Sequence, residues 1–595
     1  MFIKRLKSDK ERSRFDFVLH CLSIFVLCGL VTVLIRAFQF QIIERENWRA
    51  RYEAQIYADL TTNISRRPIV DRNGRPLALS VEESSLFVNP KLIANPEAVA
   101  TALGPIIGSP PSEILHRMRK SGKFVVLKRF ISDQQAHRIR QLGIDGLYLV
   151  RETKRFYPER WLAGQVLGFV GMDGVGLEGV EKYYDDFLRT PGEKVRFLRD
   201  GLVRTLWLSD ELPSPGNHDE ALVLTIDAYI QYITEKELMA AAEKYQAESA
   251  QAIVMNAKTF EILALANWPF FDPNLYQLSN PKIWKNRAIV DTFEPGSTFK
   301  AILAAALLEE KMVKPTDRMF CENGSFKVPG HLIRDVHPHG WLDFTQVIQV
   351  SSNICSAKLA LNFGARRYAA YIEKFGFGRE TGVDLPGEAS GLVRPWEKWR
   401  PLDLATAAFG QGISVNLLQL ARAFGAIAND GAMGVPRIVK KQEDPVASSE
   451  IKQASYNSPD KASNGQYQQI LSPATAKTLR RILKKVTEEG GTAVSAHTPG
   501  YEVGGKTGTA QKLDPETGRY SKRDYASIFV GFAPVEDPEI VIAIVVHNPR
   551  GATYGGVVAG PVFREIALRV LPYLGVPPQQ QQPIQGASMK KSGDV

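Results

Sequence analysis

The sequence predicts an α+β fold of the layered α/β kind, in which a central antiparallel sheet is flanked by helices. A mixed domain and one membrane helix are predicted to precede it. Residues 17–35 contain no formal charge. Strand-like segments lie near both ends of residues 220–574, and the sequence between them is mostly helical in pattern. Strands at both ends of a segment with helices between them are typical of an antiparallel sheet covered by helices.

The composition is that of a globular protein with several folded parts. The 595 residues are 44% hydrophobic and 23% charged, and this length predicts two or three folded units. The formal net charge is +10, and residues 1–15 alone contain six basic and two acidic residues. The rest of the chain has no basic stripe interleaved with aromatic residues, which argues against nucleic acid as a partner.

The uncharged run of residues 17–35 predicts a membrane helix. As a helix it would span about 28 Å, close to the hydrocarbon thickness of a bilayer. The basic residues before it predict that residues 1–16 form a cytoplasmic tail. No small-residue cleavage site follows. Residues 17–36 are therefore expected to be an uncleaved signal anchor, single-pass in the cytoplasmic membrane, with the remaining chain outside the cytoplasm.

Residues 37–215 are predicted to form a pedestal with an interaction role. Residues 39–53 read as a charged, helix-compatible stalk. The Asn73-Gly74 pair predicts a hairpin, because both positions of such a turn favour positive φ. We find no catalytic constellation in this region, and a Pro-rich linker at residues 211–218 ends it.

Residues 220–574 are predicted to form the catalytic domain. Two regions are predicted to be helical, residues 229–245 and 560–574. The predicted strands are residues 222–226, 252–255, 261–266, 526–533 and 540–547. The polar stretch 443–468 is expected to be an exposed loop, and the Gln-rich tail 575–595 is expected to be disordered.

The sharpest local feature is Ser297 followed by Lys300 at the start of a long apolar stretch. Pro295 and Gly296 fit the entry to a helix, so Ser297 would lie in the first turn, where unpaired N–H groups favour negative charge. Lys300 would share its face, and burial would lower the pKa of this lysine. Ser297 is thus a candidate nucleophile and Lys300 its general base. Other Ser/Lys pairs with this spacing lie in polar surroundings and are assigned to the surface.

A second cluster consists of Ser351, Ser352 and Asn353, just before apolar, helix-like sequence. A hydroxyl and an amide there could relay a proton and hold a substrate amide. The alternative is a helix cap without chemistry.

A third cluster is Lys506-Thr507-Gly508-Thr509, where small residues permit close backbone approach. The lysine and the two hydroxyls could bind a carboxylate. The alternative is a glycine-rich turn. A phosphate loop is excluded, because its spacing is absent.

Together and in this order, S-x-x-K, S-x-N and K-T-G resemble the signature of penicillin-recognising serine acyltransferases. The sequence around residues 333–337 and 556–562 resembles the cell-division type of class B penicillin-binding protein more than the elongation type. Pro68 stands where glycine is usual in that family. The resemblance covers nearly the whole chain and implies a transpeptidase domain on an elongated pedestal. It also rests on residues 67–78, 155–158, 409–412 and 490–492.

The resemblance implies a two-step acyl transfer that needs no metal or other cofactor, and acylation of Ser297 by β-lactams. Lys300 would be the general base, Ser351 a proton shuttle, and Asn353 a group that orients the acyl side. Lys506, Thr507 and Thr509 would bind the terminal carboxylate of the substrate. Backbone N–H groups of Ser297 and Thr509 would form the oxyanion hole. Two more residues are expected to line the substrate site, Ser352 and Gly508.

Other functions stay open from the sequence. They are an elongation-type transpeptidase, a hydrolase such as a D,D-carboxypeptidase or a β-lactamase, and a non-catalytic division scaffold or penicillin sensor. No carboxylate motif is arranged for hydrolysis, and all three motifs are intact, which favours the transpeptidase. The partners implied are peptidoglycan stem peptides, their lipid-linked precursor, β-lactams, the membrane, a polytopic glycan polymerase and other division proteins. The stalk is the expected polymerase contact, or else a spacer.

The cysteines and histidines do not by themselves indicate a disulfide framework or a metal site. Cys321 and Cys355 lie on the predicted oxidising side, and the sequence leaves open whether they form a bridge. His331, His337 and His339 with Asp335 could suggest a metal site, but a surface loop explains them.

Overall fold

The structure is a computed structural model that describes residues 9–49, 57–61, 66–119, 124–189, 194–199, 205–206, 220–440, 467–513 and 517–579. The chain divides into two compact units. One comprises Met1–Ile64 and Pro191–Asn217, and the other comprises Ser65–Thr190 and His218–Val595.

The secondary structure is mixed throughout. In chain order the described α-helices are α1 (Asp9–Phe38), α2 (Pro96–Ile107), α3 (Pro111–Met118), α4 (Asp133–Gln141), α5 (Gly164–Leu167), α6 (Gly179–Tyr183), α7 (Asp185–Leu188), α8 (Ala228–Lys244), α9 (Arg287–Val290), α10 (Lys300–Glu309), α11 (Phe344–Gln349), α12 (Asn353–Phe363), α13 (Ala365–Lys374), α14 (Pro401–Ala407), α15 (Leu417–Ala428), α16 (Pro473–Lys484), α17 (Gly555–Val558) and α18 (Gly560–Tyr573). The strands are β1 (Tyr57–Thr61), β2 (Ile69–Val70), β3 (Pro76–Val88), β4 (Val125–Ile131), β5 (Leu147–Phe156), β6 (Lys194–Arg199), β7 (Thr205–Leu206), β8 (Leu222–Val223), β9 (Ser249–Asn256), β10 (Ile262–Trp268), β11 (Arg318–Phe320), β12 (Ser325–Val328), β13 (His331–Arg334), β14 (Trp341–Asp343), β15 (Ala432–Met433), β16 (Gln468–Gln469), β17 (Gly504–Leu513), β18 (Tyr520–Ala533) and β19 (Ile540–His547).

The first unit contains the helix predicted as the anchor. Helix α1 includes the whole of residues 17–36 and continues as a π-helical turn, Gln39–Ile43. The most apolar stretch of Ser13–Ile43 is not buried against protein, and the length and composition of this segment suit a membrane crossing. Strand β6 of this unit pairs antiparallel with β1 and with β7. Residues 1–8 of the predicted cytoplasmic tail lie outside the described residues.

A small sheet in the second unit confirms the predicted hairpin at Asn73-Gly74. Strands β2 and β3 are antiparallel, and Gly74 has φ 85°. Asn73 does not have positive φ, so the expectation of positive φ at both positions is wrong although the hairpin forms. The turn owes its shape to Asp71, whose Oδ1 accepts hydrogen bonds from the backbone N–H groups of Asn73 and Arg75, each at 2.8 Å. Strand β3 also pairs with β4 and β5.

The same small sheet contains a pairing that the sequence did not predict. Strand β8, expected to open the catalytic domain, pairs in parallel with β2 of the predicted pedestal, Ile69 opposite Leu222 and Val70 opposite Val223. The two strands come from opposite sides of the predicted boundary at residues 215–220.

The central sheet confirms the predicted α+β architecture. Its order is β10-β9-β19-β18-β17, and all neighbours are antiparallel. All eight residues of β19 are buried, because helices α8, α15 and α18 pack on the sheet. Buried apolar residues of the sheet and its helices form one continuous core. Strand β17 lies at the sheet edge.

Two predicted irregular regions fall largely outside the described residues. Residues 443–466 of the predicted loop and residues 580–595 of the predicted tail are not described. The start of the tail corrects the expectation of disorder, because the backbone N–H of Gln579 donates to the Gly500 carbonyl at 2.7 Å and Val576 packs on the core.

Candidate active site

Ser297 lies in a short 3-10 helix, Gly296–Phe299, that leads directly into α10. The sequence predicted the first turn of a helix here, and the structure shows that this turn is of the tighter kind. Side chains three residues apart eclipse each other in a 3-10 helix, so Ser297 and Lys300 project from the same side. Ser297 is half-buried. Gly296 before it has φ 56°, and a Cβ there would lie 3.4 Å from the backbone nitrogen of Thr509.

Lys300 is fully buried and held by three oxygen atoms. Its Nζ lies 2.6 Å from the carbonyl oxygen of Ser351, 3.0 Å from the Ser351 hydroxyl and 2.7 Å from Oδ1 of Asn353. Burial lowers the pKa of Lys300 well below its usual range, the positive charge of Lys506 lowers it further, and Asp335 opposes both effects. The site therefore favours an uncharged amine three residues after Ser297, on the same side of the 3-10 turn.

The backbone at Ser351 is shaped to hold this amine. Ser351 has φ 61°, a left-handed conformation that is costly for a residue with a side chain. Its carbonyl oxygen and its hydroxyl both contact Lys300 Nζ. Asn353 begins α12 and donates its Nδ2 to the Arg334 carbonyl at 3.0 Å. Two of the three residues of this cluster, Ser351 and Asn353, thus contact the predicted base.

Ser352 has a different position from the one expected. It is 1% exposed and is the N-cap of α12, where its Oγ accepts the backbone N–H of Cys355 at 3.1 Å. The same hydroxyl donates to Oδ2 of Asp335 at 2.6 Å. The structure thus places Ser352 in a helix cap, and not at the open face of the site where we expected it to bind substrate.

Apart from the metal site that was set aside above, the sequence predicted no role for Asp335. Besides the Ser352 hydroxyl, its carboxylate accepts the backbone N–H groups of Asn353 at 2.5 Å and Ile354 at 3.0 Å. A carboxylate at this helix N-terminus is favoured by the unpaired N–H groups and the helix dipole. Asp335 therefore fixes the turn that presents Ser351 and Asn353 to Lys300. Its only sequence signal was its place in the motif before the cluster.

The K-T-G-T cluster lies in β17, at the edge of the central sheet. Lys506 is fully buried, and burial lowers its pKa to about 7. Its Nζ lies 3.5 Å from the Thr507 hydroxyl. That hydroxyl is 2.8 Å from the hydroxyl of Thr492. The Thr509 hydroxyl accepts the backbone N–H of Gly555 at 3.1 Å.

Gly508 explains why β17 can approach the nucleophile closely. A Cβ at this position would lie 2.7 Å from the carbonyl oxygen of Pro295 and 3.0 Å from Cγ2 of Thr298. Only glycine permits this contact without displacement. An edge strand also has backbone groups that no neighbouring strand pairs, so an extended peptide can add beside it.

A disulfide bond stabilises the helix that carries Asn353. Cys321 and Cys355 are bonded and both fully buried, which answers the question that the sequence left open. Cys355 lies in α12, two residues after Asn353. The bridge therefore ties this helix to the end of β11.

The histidines near Asp335 do not form a recognisable metal site. Among the residues that the structure describes, no group of three or more His, Cys, Asp or Glu side chains could hold a metal ion. His331 lies in β13, and His337 and His339 lie in the turn that follows it.

Comparison with known proteins agrees with this geometry. Residues 250–568 match the penicillin binding protein transpeptidase domain, and residues 61–218 match the penicillin-binding protein dimerisation domain. The chain is 34% identical to stage V sporulation protein D of Bacillus subtilis over 97% of this chain and 88% of that protein. It is 30% identical to peptidoglycan D,D-transpeptidase FtsI of Escherichia coli over 93% of this chain and 91% of that protein.

A solved structure shows the same fold. Penicillin binding protein 3 of Mycobacterium tuberculosis, in complex with aztreonam, has a TM-score of 0.64 and 28% identity over 87% of this chain and 98% of that chain. The matches extend over both the small N-terminal sheet and the catalytic sheet, as the sequence motifs predicted. The chain belongs to the class B penicillin-binding proteins and, within them, to the cell-division type.

Proposed function

We propose that this chain is a peptidoglycan D,D-transpeptidase that cross-links stem peptides through an acyl-enzyme on Ser297. The observation that carries the proposal is the buried amine of Lys300, held by Ser351 and Asn353 one 3-10 turn from the Ser297 hydroxyl. An uncharged amine in this position can accept the hydroxyl proton and so activate a serine.

In the first step Ser297 Oγ attacks the carbonyl carbon between the last two D-alanines of a donor stem. Lys300 accepts the hydroxyl proton. Backbone N–H groups of Ser297 and Thr509 stabilise the oxyanion, an effect worth a few kcal/mol per donor. The C–N bond then breaks, the leaving amine receives a proton through Ser351, and free D-alanine departs.

In the second step the amine of a neighbouring stem peptide attacks the ester carbonyl. The new amide bond forms as the C–O bond to Ser297 breaks. The proton lost by the amine returns through Lys300 to the serine oxygen, so the enzyme is regenerated.

The terminal carboxylate of the donor is bound at β17 by Lys506, Thr507 and Thr509. Burial holds the pKa of Lys506 at about 7, and an incoming carboxylate favours its charged form. The Thr492 hydroxyl lies 2.8 Å from the Thr507 hydroxyl and orients it toward the carboxylate.

Transfer, and not hydrolysis, is the reaction we assign. The E. coli relative is named a peptidoglycan D,D-transpeptidase, which supports this choice over a carboxypeptidase or β-lactamase. A long-lived penicilloyl-enzyme is the expected behaviour, and rapid turnover of penicillin would favour hydrolysis.

We assign the activity to septal wall synthesis, with the anchor in the cytoplasmic membrane, residues 1–16 in the cytoplasm and the catalytic residues outside it. Residues 37–215 then form the pedestal and residues 220–574 the transpeptidase domain. A polytopic glycan polymerase is the partner we assign to the anchor and stalk. Reversing the charge of Arg45 and Arg49 should reduce its co-purification, and unchanged association would count against this contact.

Labelled penicillin tests the chemistry directly. Wild type should be labelled and Ser297→Ala should not. Ser279→Ala is the matched control, because Ser279 precedes Lys282 with the same spacing but that lysine is exposed and not buried, and the variant should label like wild type. Equal labelling of Ser297→Ala and wild type would contradict the proposal.

A further inference from the structure

Glu294, three residues before Ser297, is a half-buried carboxylate that has no positive partner in the part of the chain that the structure describes. Its Oε1 accepts the backbone N–H of Gly412 at 2.8 Å and the Tyr520 hydroxyl at 3.0 Å, and its Oε2 lies 3.2 Å from the same hydroxyl. Both donors are neutral. Burial raises the pKa of Glu294, and no cation among the described residues opposes that effect. A carboxylate in such surroundings is stabilised by a cation that comes from outside the chain.

The contact with Tyr520 shows which end of the edge strand β17 lies near Glu294. Tyr520 is the cross-strand neighbour of Leu513, at the far end of β17 from Lys506. Tyr520 is also 40% exposed, so this end of the strand is open to solvent. The Glu294 carboxylate therefore lies near the Leu513 end of β17, on the same loop as the nucleophile.

A donor peptide added to β17 would run toward this end. Its carboxylate lies at Lys506 and its scissile carbonyl at Thr509, so the residues before D-Ala-D-Ala extend toward Leu513. From Thr509 to Leu513 the strand advances about 13 Å. Two residues of extended peptide cover about 7 Å and a four-carbon amine side chain adds about 6 Å. The amine of a diamino acid before D-Ala-D-Ala can thus reach Glu294.

We propose that Glu294 is the subsite for this ammonium group, and so determines which donor stems are accepted. The inference deepens the proposed function and rests on it, because the direction of the peptide follows from the roles given to Lys506 and Thr509. Charge-assisted hydrogen bonds are stronger than neutral ones, so a donor whose side-chain amine is free would react better than one whose amine is blocked.

A purely structural explanation makes a different prediction. Glu294 joins the nucleophile loop to the turn at Gly412 and to the end of β18, and this bridge alone could explain its presence. In that case its loss would slow every donor equally. The Tyr520→Phe variant separates the two explanations, since it removes one arm of the bridge and leaves the carboxylate in place.

The experiment uses the full chain in detergent and two donors, Nα-acetyl-lysyl-D-alanyl-D-alanine and the same peptide acetylated on the side-chain amine. Release of D-alanine gives kcat/KM for each. Where release is too slow to follow, acylation by two penicillins whose side chains end in an ammonium or in a methyl group gives the same ratio. Wild type and Tyr520→Phe should prefer the charged donor by about tenfold, and Glu294→Gln should lower that ratio to near one.

If wild type shows a ratio of charged to blocked donor near one, the inference is wrong. This result needs no variant, so it does not depend on whether Glu294→Gln folds. An unchanged ratio in folded Glu294→Gln also overturns it. The penicillin with the uncharged side chain keeps the two proposals apart. If it fails to acylate Ser297, the proposed function fails, whereas normal acylation with a flat ratio removes only the subsite.

Discussion

The Nζ atom of Lys300 lies 2.6 Å from the carbonyl oxygen of Ser351, a residue whose backbone is in the left-handed region. Through this contact, the turn that precedes the helix beginning at Asn353 sets the environment of the Lys300 amine. Whatever holds that turn should therefore control acylation.

Asp335→Asn tests this relationship. The amide loses the charge that strengthens the short hydrogen bonds to Ser352 and Asn353, so acylation by penicillin should fall about tenfold, as expected for the loss of about 1.5 kcal/mol. Stopped-flow acylation measures the rate. Asp343→Asn is the matched control, since Asp343 caps the neighbouring helix α11 but does not contact Lys300. Equal effects of the two substitutions on acylation would refute the link.

The acylation rate should depend on pH through Lys506. Its pKa of about 7 means that the free enzyme loses the charge that attracts the carboxylate as pH rises above that value. We expect kcat/KM for penicillin acylation to decline between pH 7 and 9. In Lys506→Arg the guanidinium stays charged, so this decline should disappear even if the absolute rate is lower. A wild-type profile that is flat across this interval would contradict the assignment.

Removing the disulfide should destabilise the catalytic unit. The bridge closes a loop with a sequence separation of 34, for which chain entropy predicts about 3–4 kcal/mol of stabilisation. Urea unfolding of the Cys321→Ala/Cys355→Ala variant measures the loss of free energy of unfolding. The control is Cys21→Ala/Cys28→Ala in α1, where the thiols are free. Similar midpoints for wild type and the first variant would show that the bridge contributes nothing.

Gly508→Ala should disable the site while the fold persists. The added methyl group meets the Pro295 carbonyl at 2.7 Å, so β17 must move away from Ser297, and a displacement near 1 Å can lower a rate about a hundredfold. Gly518→Ala, on the same hairpin with no atom within 4 Å of its new Cβ, should acylate normally. Its left-handed backbone at φ 64° costs only about 1–2 kcal/mol of stability. Normal acylation by Gly508→Ala would mean that the strand tolerates the shift.

Much of the fold and the centre of the site could be predicted because their signals are local. The apolar run after Lys300 predicted a buried helix, and the second half of β18, residues 526–533, and nearly all of β19 are mostly apolar runs of strand length. The spacing of Ser297 and Lys300 needed only one helical turn to bring the side chains together. Such patterns depend on neighbours in sequence, which a single chain displays.

The remaining features depend on partners that are distant in sequence. Nothing near Asp335 indicates that it caps a helix beginning at residue 353, and Glu294 meets Tyr520 across 226 residues. Ser352 was expected to contact substrate because it lies between the two residues of the S-x-N motif. Its hydroxyl instead caps α12 and bonds to Asp335. The left-handed backbone of Ser351 is imposed by packing and not by residue type.

The parallel pairing of Ile69–Val70 with Leu222–Val223 constrains how the chain acquires its structure. Strand β2 cannot complete its sheet until more than 150 further residues have been synthesised, because its neighbour β8 lies that far along the chain. The N-terminal sheet is therefore finished late, when the first strand of the catalytic half arrives. During biosynthesis the early part of the chain has an open strand edge, a state in which chaperones can bind.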